Sequence, residues 1–218
     1  MAKKQFGILI IGAGWVSTQH ISAYVNNHQA QVLAICDINL DNARKRADEA
    51  DLGDVRFYDN VADALKHDGI DAVSICTPQH IHCQNVLAVA KAGKHMIIEK
   101  PAANSLDELR QMRDAVNAAG VKTVVGFVLR WNPLFQNIKK LIAEGTLGEL
   151  SYAETDYQSY NSAWWGGWEQ GRRKDFSHSA MAVAGCHAVD TLRWFAAPGE
   201  TEAADPVWCQ KSADMQPK

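Results

Sequence analysis

The sequence reads as a doubly wound α/β domain built on a parallel sheet, followed by the start of an α+β domain with an open antiparallel sheet. Two patterns point to the first part: apolar β-branched runs recur along residues 1–127, and an amphipathic stretch follows each of them. Strands that carry continuous apolar runs, rather than alternating ones, are buried on both faces, as in a parallel sheet with helices on either side. A third pattern marks the change of architecture. After Phe127 the run SYAETDYQSY alternates polar and aromatic residues, as a half-exposed antiparallel strand does.

The strands expected in order are GILIIG (7–12), VLAIC (32–36), a weaker VRFY (55–58), AVSICT (72–77), HMIIE (95–99) and KTVVGFV (122–128). Helical patterns fill the gaps at 15–27, 40–50, 61–66, 80–92 and 106–119. Gly93 and Gly120 stand where helix C-termini favour glycine. Asn104 or Ser105 can cap the helix at 106, and Ser105 with Glu108 has capping-box spacing. In the second part, helices are expected at 132–143 and 179–195, GTLGEL is a turn, and PVWCQKS is one more strand. The domains divide as 1–127 and 128–218, the second incomplete.

Composition excludes several roles. The chain has 218 residues, a net charge of −3 and a pI near 6.2, so it has no basic field for nucleic acid or an anionic membrane. No apolar run approaches the roughly 18 residues of a membrane span. The N-terminal run lacks a full signal-peptide core and a cleavage site, which fits a cytoplasmic protein. Five scattered cysteines without a C-x-x-C pair fit reduced thiols, not a disulfide framework or a zinc site. His80 and His82 have no partner at metal-ligand spacing.

The chemistry begins where the first strand ends. Gly12, Ala13, Gly14, Trp15, Val16 and Ser17 form G-x-G-x-x-small at the opening of a helix. The first glycine permits the turn, the second lets main chain approach a pyrophosphate, and a small third residue permits helix–strand packing. The helix N-terminus, with Trp15 and Val16, then offers N–H groups and a positive dipole end to phosphate. Asp37 ends the second strand, 25 residues after Gly12, where a carboxylate accepts hydrogen bonds from ribose hydroxyls. It would repel a 2′-phosphate, which favours NAD over NADP. Arg44 and Arg46 read as a solvated helix face. Together these features define a Rossmann-type dinucleotide site.

Four segments, GAGWVSTQH, TPQHIH (77–82), AGKHMIIEKP (92–101) and GCHAVDTLRW (185–194), resemble the Gfo/Idh/MocA family of sugar and polyol oxidoreductases. The resemblance spans roughly residues 5–197 and implies specific roles. Thr77, Pro78 and His82 would line the ribose and nicotinamide side of NAD. Glu99 and Lys100 would sit by the nicotinamide, with Pro101 making the turn, and Arg130 and Trp131 would border the same pocket. His187 would be the acid–base residue and Asp190 a substrate ligand. Physical chemistry agrees for Lys100, since an ammonium at a buried strand end is partly desolvated. His187 and Asp190 lie one turn apart on one side of their helix.

Val183 departs from the family, which often has an aspartate four residues before this histidine. A valine carries no proton, so a Lys–Asp–His triad is excluded and proton transfer falls to His187 with Lys100, assisted by Tyr157 or Tyr160. Gly185 inside the helix costs about 1 kcal/mol relative to alanine and suggests close approach of a ligand. Tryptophans including Trp165, with Arg172, Arg173 and Lys174, suit a sugar ring and its hydroxyls, and equally suit a subunit contact or core.

The expected function is hydride transfer between a sugar, polyol or related hydroxy compound and NAD, in a homo-oligomer joined through the second-domain sheet. Val183 and the short C-terminal part keep open a non-catalytic NAD-binding protein. NAD-assisted hydrolysis or elimination with no net redox is a further alternative.

Overall fold

The computed structural model describes residues 5–158, 169, 173, 176 and 179–196. Six parallel strands form one sheet: β1 (Phe6–Ile11), β2 (Ala30–Cys36), β3 (Arg56–Tyr58), β4 (Ile70–Ile75), β5 (His95–Ile98) and β6 (Thr123–Val125). Their spatial order is β3-β2-β1-β4-β5-β6, so the chain winds outward from β1 first one way and then the other. Such a reversal opens a crevice at the carboxyl ends of the two central strands.

The continuous apolar runs are explained by two cores. Leu9 and Ile11 of β1 pack below the sheet with Val86, Val89, Met112 and Val116. Ile8 and Ile10 pack above it with Ile21, Ala43 and Ala47. Helices α1 (Ser17–Val25) and α2 (Leu40–Glu49) cover the upper face. Helices α3 (Val61–Ala64), α4 (His82–Lys91) and α5 (Leu106–Ala119) cover the lower one. Ser105 caps α5 by accepting from the Glu108 N–H at 3.2 Å, and Glu108 returns a bond from the Asn104 N–H at 2.9 Å.

Some elements are shorter than the sequence suggests. β6 ends at Val125, and Val128–Trp131 coils into a 3₁₀ turn that carries Arg130 and Trp131. The helix expected at 80–92 splits into a 3₁₀ turn, Gln79–Ile81, and α4.

Beyond β6 lie α6 (Pro133–Ala143), a π-helical turn at Met181–Gly185, and α7 (Cys186–Ala196). Trp194 of α7 is 1% exposed, and Lys139 of α6 donates to its main-chain oxygen. The strand expected from SYAETDYQSY does not form over 151–158. Alternation makes a strand only where a neighbour takes its N–H and C=O groups, and no described strand pairs with it. The segment lies against α7 instead, with Thr155 Oγ1 donating to the Ala188 oxygen at 2.9 Å. No antiparallel sheet occurs among the described residues. PVWCQKS, Tyr160, Trp165, Arg172 and Lys174 lie outside them. No described helix is long and apolar enough to cross a membrane.

Candidate active site

Strand register assembles the site. Ile11 aligns with Cys36 on one side and Ile75 on the other, Ile75 with Ile98, and Ile98 with Val125. The next residue of each strand then continues the ladder: Gly12 N donates to Cys36 O, Cys76 N to Ile11 O, Glu99 N to Ile75 O, and Gly126 N to Ile98 O. Glycine loop, ribose acid and lysine strand therefore leave the sheet along one edge.

At the β1–α1 turn Gly12 has φ +94°, and a Cβ there would stand 2.8 Å from the Cys76 and Thr77 main chain. Only glycine meets both conditions. A Cβ on Gly14 would meet nothing within 4 Å, and no side chain caps α1. An open glycine beside an uncapped helix N-terminus fits a pyrophosphate. Trp15 is 71% exposed at this turn, and Val16 precedes the first turn of α1. Ser17 is fully buried and its hydroxyl donates to the Gly14 oxygen at 2.6 Å, which holds the loop.

Asp37 stands at the end of β2. Its carboxylate accepts from the Ala13 N–H at 2.7 Å and the Asn39 N–H at 2.8 Å. A carboxylate has about four acceptor positions, so both oxygens retain capacity for ribose hydroxyls. Arg46 is not on a solvated face. Its Nε donates to the Ala13 oxygen at 3.2 Å, and its guanidinium also pairs with Glu49. The sequence pattern missed it because only α2 packing brings residue 46 under the glycine loop.

His82, expected to line the cofactor's ribose, is 1% exposed and is a tie between loops. Its Nδ1 lies 2.9 Å from the Pro101 oxygen and its Nε2 2.8 Å from the Thr77 oxygen. Burial lowers its pKa, against the raising effect of those carbonyls. Thr77 also faces inward, its hydroxyl accepting from Asn85 at 3.1 Å, whereas Pro78 is exposed at the cleft edge.

Glu99 and Lys100 follow β5, and the Lys100–Pro101 peptide is cis. His20 Nε2 lies 2.9 Å from Glu99 Oε1, and the Lys100 N–H donates to Oε2 at 3.2 Å. Burial alone would raise the Glu99 pKa. The His20 hydrogen bond and charge, with the Lys100 charge and N–H, outweigh it and hold the carboxyl below its ordinary value.

Lys100 reaches the second region, its Nζ donating to the Val183 oxygen at 3.0 Å. The residue that lacks a carboxylate thus meets the ammonium through its main chain, inside the π turn. Turns of this kind interrupt helices often at functional sites. A Cβ on Gly185 would stand 2.5 Å from Met181 Sδ, so Met181 fills the space expected for a ligand.

His187, on the first turn of α7, is 5% exposed, stacked on Tyr157 with centroids 4.9 Å apart and edge-on to Phe127 at 6.2 Å. Burial first, and then the Lys100 charge, lower its pKa, against Asp190 and Glu99. The ring is therefore neutral near pH 7 and able to accept a proton. Asp190, expected as a substrate ligand, gives both oxygens to Arg130 at 2.8 Å each. Arg130, expected beside the cofactor, spends its fork on that pair and lies 5.5 Å over the Trp194 ring. Trp165 lies outside the described residues.

A glycine loop, an acid just after β2 and a lysine just after β5, all at the carboxyl ends of the strands, define a dinucleotide-binding α/β protein. Residues 6–127 match the oxidoreductase family's NAD-binding Rossmann fold, and residues 135–205 match its C-terminal domain. The chain belongs to the Gfo/Idh/MocA oxidoreductase family.

It is 34% identical over 150 residues to an inositol 2-dehydrogenase of Rhizobium meliloti, covering 67% of this chain and 42% of that protein. It is 31% identical over 156 residues to a D-apiose dehydrogenase of Paraburkholderia graminis, covering 72% and 41%. Among solved structures it resembles levoglucosan dehydrogenase in complex with NADH and levoglucosan, with TM-score 0.79 at 26% identity, covering 88% of this chain and 54% of that one. The chain spans about half the length of the curated relatives it matches.

Proposed function

We propose that this protein is an NAD-dependent oxidoreductase acting on a CH–OH group of a sugar, polyol or related hydroxy compound. The observation that carries the reading is the reach of Lys100 across the two regions, its Nζ donating to the Val183 oxygen one turn before His187, at the end of the sheet that also holds the glycine loop. The names of the sugar and inositol dehydrogenases it resembles support the substrate class.

When bound, the nicotinamide supplies or accepts the hydride. The rest falls to this chain. Gly12 and Gly14 admit the pyrophosphate, and Asp37 takes ribose hydroxyls. Lys100, anchored at Val183, presents an ammonium beside the reacting hydroxyl, and neutral His187 takes the hydroxyl proton. Tyr157 orients the imidazole by stacking, and Arg130 fixes the Asp190 carboxylate one turn along α7 from it. Neither needs a carboxylate at residue 183.

In this reading the protein is cytoplasmic and assembles as a homo-oligomer through its second region. The exposure of Leu134, Leu147, Leu150 and Tyr152 in that region supports the assembly.

Titration of NADH by nicotinamide fluorescence, followed by a polyol and aldose panel with NAD, tests the reading. Binding with NADH formation on at least one member is the expected result. Binding without turnover or substrate loss would favour an NAD-binding protein that does no chemistry, the alternative that Val183 motivates. Product formation without NADH would point to redox-neutral hydrolysis or elimination. No binding would overturn the reading.

A further inference from the structure

One feature of β4 has no packing rationale. Ser74 lies next to the carboxyl end of the parallel strand β4, between Val73 and Ile75, and is fully buried. A buried hydroxyl at such a site costs free energy unless it is hydrogen-bonded. Its partners come from two positions one turn apart on α1. The Tyr24 hydroxyl lies 2.6 Å from Ser74 Oγ, and His20 Nδ1 lies 3.3 Å from it. His20 Nε2 then faces Glu99 Oε1 at 2.9 Å, with side chains only 14% and 13% exposed. Glu99 Oε2 accepts the main-chain N–H of Lys100. On the far side, a Cβ on Gly126 would come within 3.1 Å of Glu99 Oε1, so the carboxylate fills a slot that a larger residue would close.

We propose that His20 is a positioning residue: held by Ser74, whose hydroxyl Tyr24 fixes in turn, it seats the Glu99 carboxylate, which aims Lys100 into the cleft. The inference rests on the function proposed above for Lys100. It explains why a polar side chain sits in β4 and why α1 carries His20 and Tyr24 on its inner side. It also divides the labour at β5. His82 ties Pro101 from the lower layer, and His20 ties Glu99 from the upper one, so Lys100 lies between two anchored residues.

The titratable groups around Glu99 are His20 from α1, Lys100 beside it, Cys76 at the end of β4, His82 from α4 and His187 from α7. The test uses the whole chain with His20→Ala, His20→Gln and Tyr24→Phe. A glutamine amide reaches the place of Nε2 and still donates to Glu99. The first readout needs no substrate: carboxyl ¹³C NMR titration, with Glu99→Gln assigning the signal. The Glu99 titration should move to higher pH in His20→Ala, and less in His20→Gln.

The second readout is turnover. In His20→Ala kcat should fall at least ~10-fold, as for a misplaced catalytic group, with NADH affinity changed far less. His20→Gln should recover most of it, and Tyr24→Phe should show a smaller loss in the same direction. An unchanged Glu99 titration in His20→Ala overturns the proposal, as does equal loss in the alanine and glutamine variants. Absence of turnover in the unsubstituted protein would instead fail the proposed function, and the NMR titration would still decide the His20–Glu99 linkage.

Discussion

The two halves of the cleft are made of different material. The half proposed to hold the adenosine uses main-chain groups and one carboxylate: the open turn at Gly12 and Gly14, the uncapped start of α1, and Asp37 holding Ala13 and Asn39. Its parts come from one β-α-β unit, and its shape is set by main-chain sterics. The half proposed to be reactive uses side chains from α1, the two residues after β5, the 3₁₀ turn after β6 and α7: His20, Glu99, Lys100, Arg130, His187 and Asp190. Recognition of a common dinucleotide needs a fixed cradle. Chemistry on a variable substrate needs polar and charged side chains brought together from remote elements.

Substitutions can separate the halves. The largest effect is expected for Lys100→Ala, with kcat/KM lower by ~10²–10⁴-fold and a much smaller loss of NADH affinity in a fluorescence titration. Unchanged turnover would show that the reactive half is not at β5.

Next in size is Asp190→Ala, which leaves the Arg130 guanidinium without its buried carboxylate. Loss of one partner of a buried pair costs about 3 kcal/mol, the low end of the usual range, because Arg130 is 18% exposed. The midpoint of urea unfolding should fall accordingly. A change within error would mean that the pair is replaceable by solvent.

Asp37→Ala acts on the other half. It removes the acceptor of two N–H groups and of the ribose hydroxyls, so NADH should bind roughly tenfold more weakly, about 1.4 kcal/mol. NADPH, no longer repelled, should lose less, and parallel titrations would show the ratio change. An unchanged NADH/NADPH ratio would remove Asp37 from specificity.

The smallest effect is expected for Val183→Asp, which adds a carboxylate near Lys100 and His187 and should raise the His187 pKa. The folded-state pKa of His187 lies below its ordinary value of about 6.5, because burial and Lys100 disfavour the imidazolium. The stability linked to this group is therefore full above roughly pH 6.5 and is lost as pH falls through the lower folded value. Val183→Asp should flatten that acid slope and move the acid limb of the pH–rate profile upward. An unmoved limb would mean that another group titrates there.

The contrast also explains what was readable in advance. Gly12, Gly14 and Asp37 announce themselves by spacing, since strand, turn and helix geometry fixes how far apart such residues fall in a β-α-β unit. Lys100 and His187 are singled out by motif resemblance alone, and no spacing in the chain says that Lys100 meets the Val183 oxygen. The sequence reads Arg46 as solvated, whereas it donates to the Ala13 oxygen, because helix periodicity gives the side of a helix but not what packs against that side. His82, placed by resemblance beside the cofactor, makes its two ring contacts to the Pro101 and Thr77 oxygens. SYAETDYQSY shows the same limit for strands, because alternation describes a face and not a partner.

The amino-acid sequence alone settles the parallel sheet and the glycine turn at Gly12, since those follow from local sterics and from burial on both faces. The partners of charged side chains were decided in three dimensions. Asp190 chose Arg130, Lys100 chose a main-chain carbonyl in a π turn, and Glu99 chose His20, from residues 60, 83 and 79 positions apart. A buried charge takes whichever counter-group the packing brings within about 3 Å, and that distance exists only after the elements have docked.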